Sequence, residues 1–349
     1  FFKNNNAAKN HKNFLMYKAG TSLSALLSRI IDDNAMPENF DVHYSHASKQ
    51  NIEEVTKIHR KIVKDMKTTH IPLKFQIFPV PGINAIRYNN IGTPLEKAIY
   101  LKHKLLNSKF AARVVNEIPI KQFNAKVSNI ENIDNVYVMV PTKKGDPLLL
   151  PPDHIPGANP IYQKMDKTFV SVDSQGNLLK FEPKQKNEIN IDFTLELNDN
   201  YYRAKYSGKT KGLMAGWPTA NLNSKKIFKN FTKTFEEDFI IKGPAEIELN
   251  GSFNASHHQY HNILMARLPY FKTGLNSLIN EPLPKKGSFS INTGYTLKEV
   301  YTYTIPLNKK IFEIIRLPKN YSEDNQYFSI QTKVEQKKDN VFITYKYHL

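Results

Sequence analysis

Apolar and polar residues follow two different spacings along the chain, which predicts a helix-rich first part and a strand-rich second part. Apolar residues three and four positions apart predict amphipathic helices over about 21–31 and 51–66. Beyond residue 180 the spacing changes, and residues 189–197 alternate between apolar and polar, which is typical of a half-buried strand. Further strands are predicted at 202–211, 245–249, 260–268, 287–291, 298–305, 327–334 and 341–347, with a helix-like insertion near 224–235.

The most distinct local signal marks a helix that begins after Thr93. Thr93 is a favourable N-cap, Pro94 suits the first helical position, and Glu96 completes a capping box. Apolar residues then fall mostly on one face up to residue 106, and a strand is predicted at 111–115. We therefore expect a core helix that is buried along one side.

Extended segments are predicted on both sides of this helix. Residues 71–78 favour a short extended segment, followed by a loop that leads to Gly92. Downstream, β-branched and aromatic residues at 133–140 predict a buried strand, and a turn at 143–146 leads into a second strand, which together indicate a hairpin. A last strand pair of this part is expected around 168–178.

Length and composition indicate an α+β protein of two domains, which we place at 1–178 and 179–349. The 349 residues are enough for two cores, and regularly spaced strands in the second part favour an antiparallel β-sandwich. The sequence has no cysteine, which excludes disulfides, zinc sites built on thiolates and cysteine nucleophiles.

The formal net charge is +17, which raises anionic partners as a hypothesis. The lysines are spread along the whole chain without a clustered motif, so nucleic-acid binding is not favoured. No stretch reaches the roughly 18 apolar residues of a membrane span. Because the sequence begins Phe1-Phe2-Lys3 without methionine, we expect a processed or truncated piece of a longer protein.

The order of these elements resembles transglutaminase-like proteins of the papain-like superfamily. In that family a Gly-x-Cys-x-Asp-x-Ala motif opens the nucleophile helix and a strand follows; here Gly92, Glu96 and Ala98 match it. The second part is similar to the β domain that follows the catalytic domain in many exported Bacteroidota proteins. The resemblance implies a papain-like α/β domain, a β-sandwich, a periplasmic or cell-surface location and an N-terminal β domain missing from this sequence.

The resemblance also implies that the catalytic triad is lost. Pro94 stands at the cysteine position, Asn135 at the histidine position, and Asp153 is a shifted remnant of the aspartate. Proline has no nucleophilic atom, and an aspartate cannot orient a histidine that is absent. We therefore expect a non-catalytic protein that binds or scaffolds a peptide or glycan and needs no cofactor.

Two other functions stay open. A hydrolase or acyltransferase could use a rearranged site, for instance the Thr93 hydroxyl with His103 or His154 as base. The positive charge could alternatively serve binding of anionic polymers.

Two weaker binding candidates lie in the second part. His257 and His261 would share one face of a strand, but no further ligands complete a metal site, so an ordinary strand is expected. Trp217 could anchor a ligand at the surface, although a lone tryptophan more often packs in a core.

Overall fold

The chain divides into two compact units, Phe1–Lys184 and Gln185–Leu349, each described by itself. The computed structural model describes residues 22–30, 51–76, 80–126, 129–143, 145–162, 166–173, 175–184, 186–197, 202–217, 223–229, 231–243, 245–255, 257–261, 263–272, 274–275, 295–307, 314 and 316–349. The predicted end of the first helix at 31–37 and the predicted strand at 287–291 lie outside these residues. No helix within the described ranges has the length and apolar character to cross a membrane.

The described residues of the first unit form four α-helices: α1 (Leu23–Ile30), α2 (Ile52–Asp65), α3 (Ile83–Asn89) and α4 (Pro94–Asn107). Helix α1 buries the predicted apolar face. In α2 the buried face also takes in Thr56 and His59, whereas Ile58 is only half-buried. Helix α4 packs against α2, α3 and three strands, so it is a central element of this unit.

Two predictions upstream of α4 are wrong. The described part of the predicted strand at 71–78 forms a 3-10 turn at Leu73–Phe75, where prolines interrupt regular strand pairing. The predicted loop before Gly92 contains α3. This helix buries a single residue, Ile86, so its sequence shows no periodic apolar pattern from which a helix could be predicted. Helix α3 ends at Asn90 in the left-handed conformation, with φ at 51°.

The sheet of the first unit is antiparallel, in the order β5-β4-β3-β6-β7. A separate parallel pair, β1 and β2, precedes α4. The predicted hairpin is confirmed, because Val138 of β4 pairs with Leu150 of β5. The strands are β1 (Lys67–Thr68), β2 (Ile91–Gly92), β3 (Arg113–Pro119), β4 (Asn135–Val140), β5 (Leu148–Leu150), β6 (Lys167–Val172) and β7 (Leu178–Phe181).

The second unit is built on an eight-stranded sheet in the order β10-β11-β9-β8-β14-β17-β16-β15. Its neighbouring strands run antiparallel except for the parallel pair β8 and β14. Strands β12 and β13 form a separate hairpin. The strands are β8 (Asn187–Leu197), β9 (Tyr202–Lys211), β10 (Phe231–Gly243), β11 (Glu246–Ala255), β12 (His257–Tyr260), β13 (Ile263–Ala266), β14 (Leu297–Pro306), β15 (Tyr321–Asp324), β16 (Ser329–Lys337) and β17 (Asn340–His348).

One face of this sheet buries an aromatic core. The predicted alternation of β8 is confirmed: Ile189, Ile191, Phe193 and Leu195 are buried. The Phe193 ring stacks on Tyr303 of β14, with ring centroids 5.2 Å apart, and meets further aromatic rings edge-on. The α+β fold class with a β-sandwich-like second domain is confirmed.

The helix predicted near 224–235 is wrong over most of its length. A single turn, α5, spans Ser224–Ile227, and strand β10 begins at Phe231. Phe228, Phe231 and Phe235 are spaced by three and four residues, which is the apolar spacing typical of an amphipathic helix. Pairing of β10 with β11 from Phe231 onward satisfies the backbone hydrogen bonds instead.

Candidate functional site

A cavity of about 340 Å³ in the first unit brings together the three positions that the resemblance compares with a catalytic triad. Pro94 at the start of α4, Asn135 at the start of β4 and Asp153 beyond β5 all line it, as does His154. Val138 of β4 pairs with Leu150, the last residue of β5, so the chain leaves the hairpin toward Asp153 on the side where β4 begins with Asn135. The hairpin and the helix start therefore build one site.

The start of α4 forms the predicted capping box. The Thr93 hydroxyl accepts from the Glu96 amide at 3.3 Å, and the Thr93 amide donates to the Glu96 carboxylate at 2.7 Å. The same hydroxyl lies 3.1 Å from the side-chain oxygen of Gln76 and donates to it. The Glu96 carboxylate thus lies at the positive end of the helix dipole, where its negative charge stabilises the helix start.

The structure does not bring the alternative catalytic residues together. Thr93 and His103 stand ten residues apart on one helix, a separation of about 15 Å along its axis. His103 instead contacts Asn107 at 3.0 Å. His154 pairs with Asp153, its Nδ1 lying 2.8 Å from a carboxylate oxygen, and its side chain is 60% exposed. The hydroxyl of Thr93 and these imidazoles therefore engage different partners.

A buried carboxylate, Glu117, holds Asn135 in place. Glu117 is 0% exposed and lies directly opposite Asn135 in the β3–β4 pairing. One of its oxygens accepts from Asn135 Nδ2 and from the Tyr137 hydroxyl, each at 2.9 Å. Burial raises the pKa of Tyr137, and the charge of Glu117 raises it further. Because the Asn135 amide nitrogen faces Glu117, its amide oxygen is turned away from that carboxylate and can accept from a ligand.

His59 of α2 supports the loop that carries Asp153. Its ring is 0% exposed, and its Nε2 donates to the Pro151 carbonyl at 2.6 Å, which fixes the Nε2–H tautomer of the neutral ring. Burial lowers the pKa of His59 from 6.5 to about 4, and nearby positive groups act in the same direction. His59 is therefore neutral at pH 7.

A buried lysine, Lys97, lies on α4 near the same loop. It is 0% exposed, and its Nζ donates to the Met66 carbonyl and to the Thr68 hydroxyl, both at 2.8 Å. Burial lowers the pKa of Lys97, while the negative charge of Asp153 acts in the opposite direction. The Lys97 ammonium thus ties α4 to β1, and its positive charge partly offsets the negative charge of Asp153.

His59, Lys97 and Glu117 were missed by reasoning from sequence, although two of them leave a signal there. His59 and Glu117 are polar residues at positions where the local apolar periodicity places a core residue: His59 lies four residues after Val55, and Glu117 lies in the apolar strand β3. Buried polar groups need hydrogen-bond partners, and only the tertiary structure supplies them.

The candidates in the second unit do not form a site in the described structure. Trp217 is 1% exposed, which confirms the favoured interpretation that it packs in a core and contradicts the weaker alternative of a surface anchor. His257 belongs to β12, whereas His261 follows it in a turn with φ at 49°, so strand alternation does not extend to His261. Among the residues that the structure describes, no group of three or more potential metal ligands is found.

The described residues of the cavity offer several groups that can bind a ligand. They supply an amide oxygen, carboxylates, imidazoles and a helix start, while the position at that helix start is a proline and the chain contains no thiol. A nucleophile paired with a base, which covalent catalysis requires, is not formed by the described residues Thr93, His103 and His154.

Comparison with known proteins gives distant similarity. No protein-family profile matches the chain, and no curated protein matches it. Seven chains of known structure resemble it, among them a "putative protease" from Parabacteroides distasonis, with 13% identity and a TM-score of 0.47. The similarity covers 93% of this chain and 48% of that protein, so this chain spans about half of its length. Similarity at this level carries no inference about activity.

Proposed function

We propose that the first unit is a transglutaminase-like module that binds a peptide in the Pro94 cavity and does not cleave it. The observation that supports the proposal most is the convergence of Pro94, Asn135 and Asp153, three positions far apart in sequence, on one cavity. In this proposal residues 1–178 are the transglutaminase-like domain, 179–349 are a β domain, and the protein acts in the periplasm or at the cell surface.

The loss of catalysis follows from the residues at these positions. A thiolate at a helix N-terminus is the nucleophile that the resemblance leads one to expect, and Pro94 cannot provide one. The Thr93 hydroxyl, next to it, is held by Gln76 and by the capping box. In this proposal the chain has lost the nucleophile and kept the cavity, so it has kept the ability to bind a peptide there.

A peptide fits the lining better than a glycan. The Asn135 amide oxygen can accept from a backbone N–H of a peptide. Ile71 adds an exposed apolar side chain to the lining. Among the described lining residues, the one Phe, Tyr or Trp is Tyr137, which is 8% exposed, so these residues form no aromatic platform for a sugar ring.

An array of random dodecapeptides probed with the full chain tests binding. We expect a subset of peptides to bind and Asn135→Ala to weaken them at least about fivefold, because the lost acceptor is worth about 1 kcal/mol. Asn107→Ala is the matched control, since Asn107 lies at the other end of α4 and does not line the cavity. Equal effects of both variants, or no binding peptide, would contradict the proposal.

A turnover assay tests the loss of catalysis separately. We expect no release of ammonia from a glutamine-amide substrate and no cleavage of casein by the purified chain. Thiol-directed inhibitors should have no effect, because the chain has no cysteine. Turnover that Thr93→Val abolishes would favour the rearranged hydrolase instead.

A further inference from the structure

A second cavity, of about 410 Å³, lies on the sheet of the second unit. It is formed where β8 and β14 begin and β17 ends. Its exposed lining residues are mostly basic or hydroxyl-bearing: Lys186, Thr296, Lys298, Lys346 and His348, with half-buried Ser329 beside them. The aromatic core occupies the other face, since Leu297 and Glu299 are buried while Lys298 between them is exposed. We name this set of residues the basic hollow.

The lysines of the basic hollow are not neutralised within the described structure. None of Lys186, Lys298 and Lys346 forms an ion pair with a described carboxylate. Lysines elsewhere on the same sheet do: Lys205 pairs with Glu196 at 2.5 Å, and Lys242 pairs with Glu248 at 2.7 Å. Three cations without a carboxylate partner around one cavity leave a local positive potential that favours an anion.

Two carboxylates line the hollow and do not cancel this charge. Glu188 is half-buried and stands against three lysines. The Glu299 carboxylate faces the core, where it accepts from the Tyr301 hydroxyl at 2.9 Å and from the Leu275 amide. Burial raises the pKa of Glu299, which reduces the fraction that carries charge at a given pH.

The register of the sheet brings two of the lysines within reach of one ligand. Lys298 pairs with His348 across β14 and β17, and Val300 pairs with Lys346. Lys298 and Lys346 are therefore diagonal neighbours on one face, a separation of about 7–8 Å between backbone positions that long side chains can span. His348 lies beside both, and Ser329 pairs with His348 on the next strand.

We propose that the basic hollow binds a phosphate- or sulfate-bearing ligand. Lysine acts as a point charge that suits tetrahedral oxyanions, whereas planar carboxylates are recognised by the arginine fork, which is absent from this lining. The hydroxyls of Ser329 and Thr296 supply hydrogen bonds to further oxygens. This site is independent of the Pro94 cavity, which lies in the other unit.

Calorimetric titration of the full chain at low ionic strength tests the site, with pyrophosphate, sulfate and succinate as probes. We expect pyrophosphate or sulfate to bind, and the stronger of the two identifies the ester class. Lys298→Gln and Lys346→Gln should each weaken that binding about fivefold, which is the Coulomb contribution of one charge near the ligand in water. Lys205→Gln and Lys333→Gln are matched controls, because both lysines lie on the same sheet in ion pairs.

The outcomes separate clearly. Weakening by the two hollow variants and not by the controls supports the site. Three results would each overturn it: binding of neither oxyanion, equal weakening by the control variants, or succinate binding as tightly as the oxyanions. The emission of Trp217, which is buried in the same unit, shows whether each variant keeps its fold.

Discussion

Buried His59 should make the first unit lose stability as the pH falls from 7 to 4. The pKa of this ring is about 4 in the folded chain and 6.5 in the unfolded one. Between pH 6.5 and pH 4, His59 is therefore mostly protonated in the unfolded chain and mostly neutral in the folded chain. Because the folded pKa is the lower one, the stability that this histidine contributes is present above pH 6.5 and is lost as the pH falls toward 4.

The size of the effect follows from the two pKa values. A difference of about 2.5 pKa units at about 1.36 kcal/mol each corresponds to about 3 kcal/mol when fully expressed. The linkage relation gives about 2 kcal/mol by pH 5 and about 3 kcal/mol by pH 4. Such a loss is a sizeable share of the 5–15 kcal/mol that stabilises a typical domain.

The His59→Gln variant isolates this contribution, because glutamine keeps an N–H donor for the Pro151 carbonyl and does not titrate. Urea unfolding should be followed by circular dichroism at 222 nm. The four described α-helices that are longer than a single turn all lie in the first unit, so this signal reports mainly on that unit. The fluorescence of Trp217 reports on the second unit in the same samples.

We expect the difference in the free energy of unfolding between wild type and variant to change by about 2 kcal/mol between pH 7 and pH 5. The Trp217 transition should not differ between them. His103→Gln is the matched control: burial lowers the pKa of this half-buried ring too, but its smaller burial predicts a smaller change. A difference between wild type and His59→Gln that is the same at both pH values would refute the desolvation of His59.

Three further predictions concern the site, the core and the domain boundary. Pro94→Cys introduces the one thiol of the chain. Adding Asn135→His should lower the pKa of that thiol by about 1–3 units, because an imidazolium across the cavity favours the thiolate. Identical pH profiles of iodoacetamide alkylation in the single and double variants would show that the two positions do not face each other. Phe193→Ala should destabilise the second unit by about 3–5 kcal/mol, since it removes the ring stacked on Tyr303. A change below about 1 kcal/mol in the free energy of unfolding of that unit, followed by fluorescence, would contradict the assigned core. Limited proteolysis should first cut near 182–186, between β7 and β8 at the boundary of the two units, and a first cut inside helix α4 would argue against the two-unit division.

Local sequence determined the elements whose stabilising contacts lie within a few residues. The capping box of Thr93 and Glu96 is such a case, because both partners belong to one turn of helix. The alternation of β8 is another, because a strand with one buried face imposes a period of two on its own residues. The β4–β5 hairpin follows from a turn between two apolar runs.

Tertiary structure alone decided which strands pair and which polar residues are buried. Strand β10 replaced most of a predicted helix because its backbone pairs with β11 from Phe231 to Gly243, which no local spacing reveals. The parallel pairing of β8 with β14 joins segments about a hundred residues apart. Glu117 could not be placed in the site from sequence, because its partners come from another strand. A periodic pattern records which face of an element is buried, whereas the partners that satisfy a buried charge come from elements distant in sequence, and only packing brings them together.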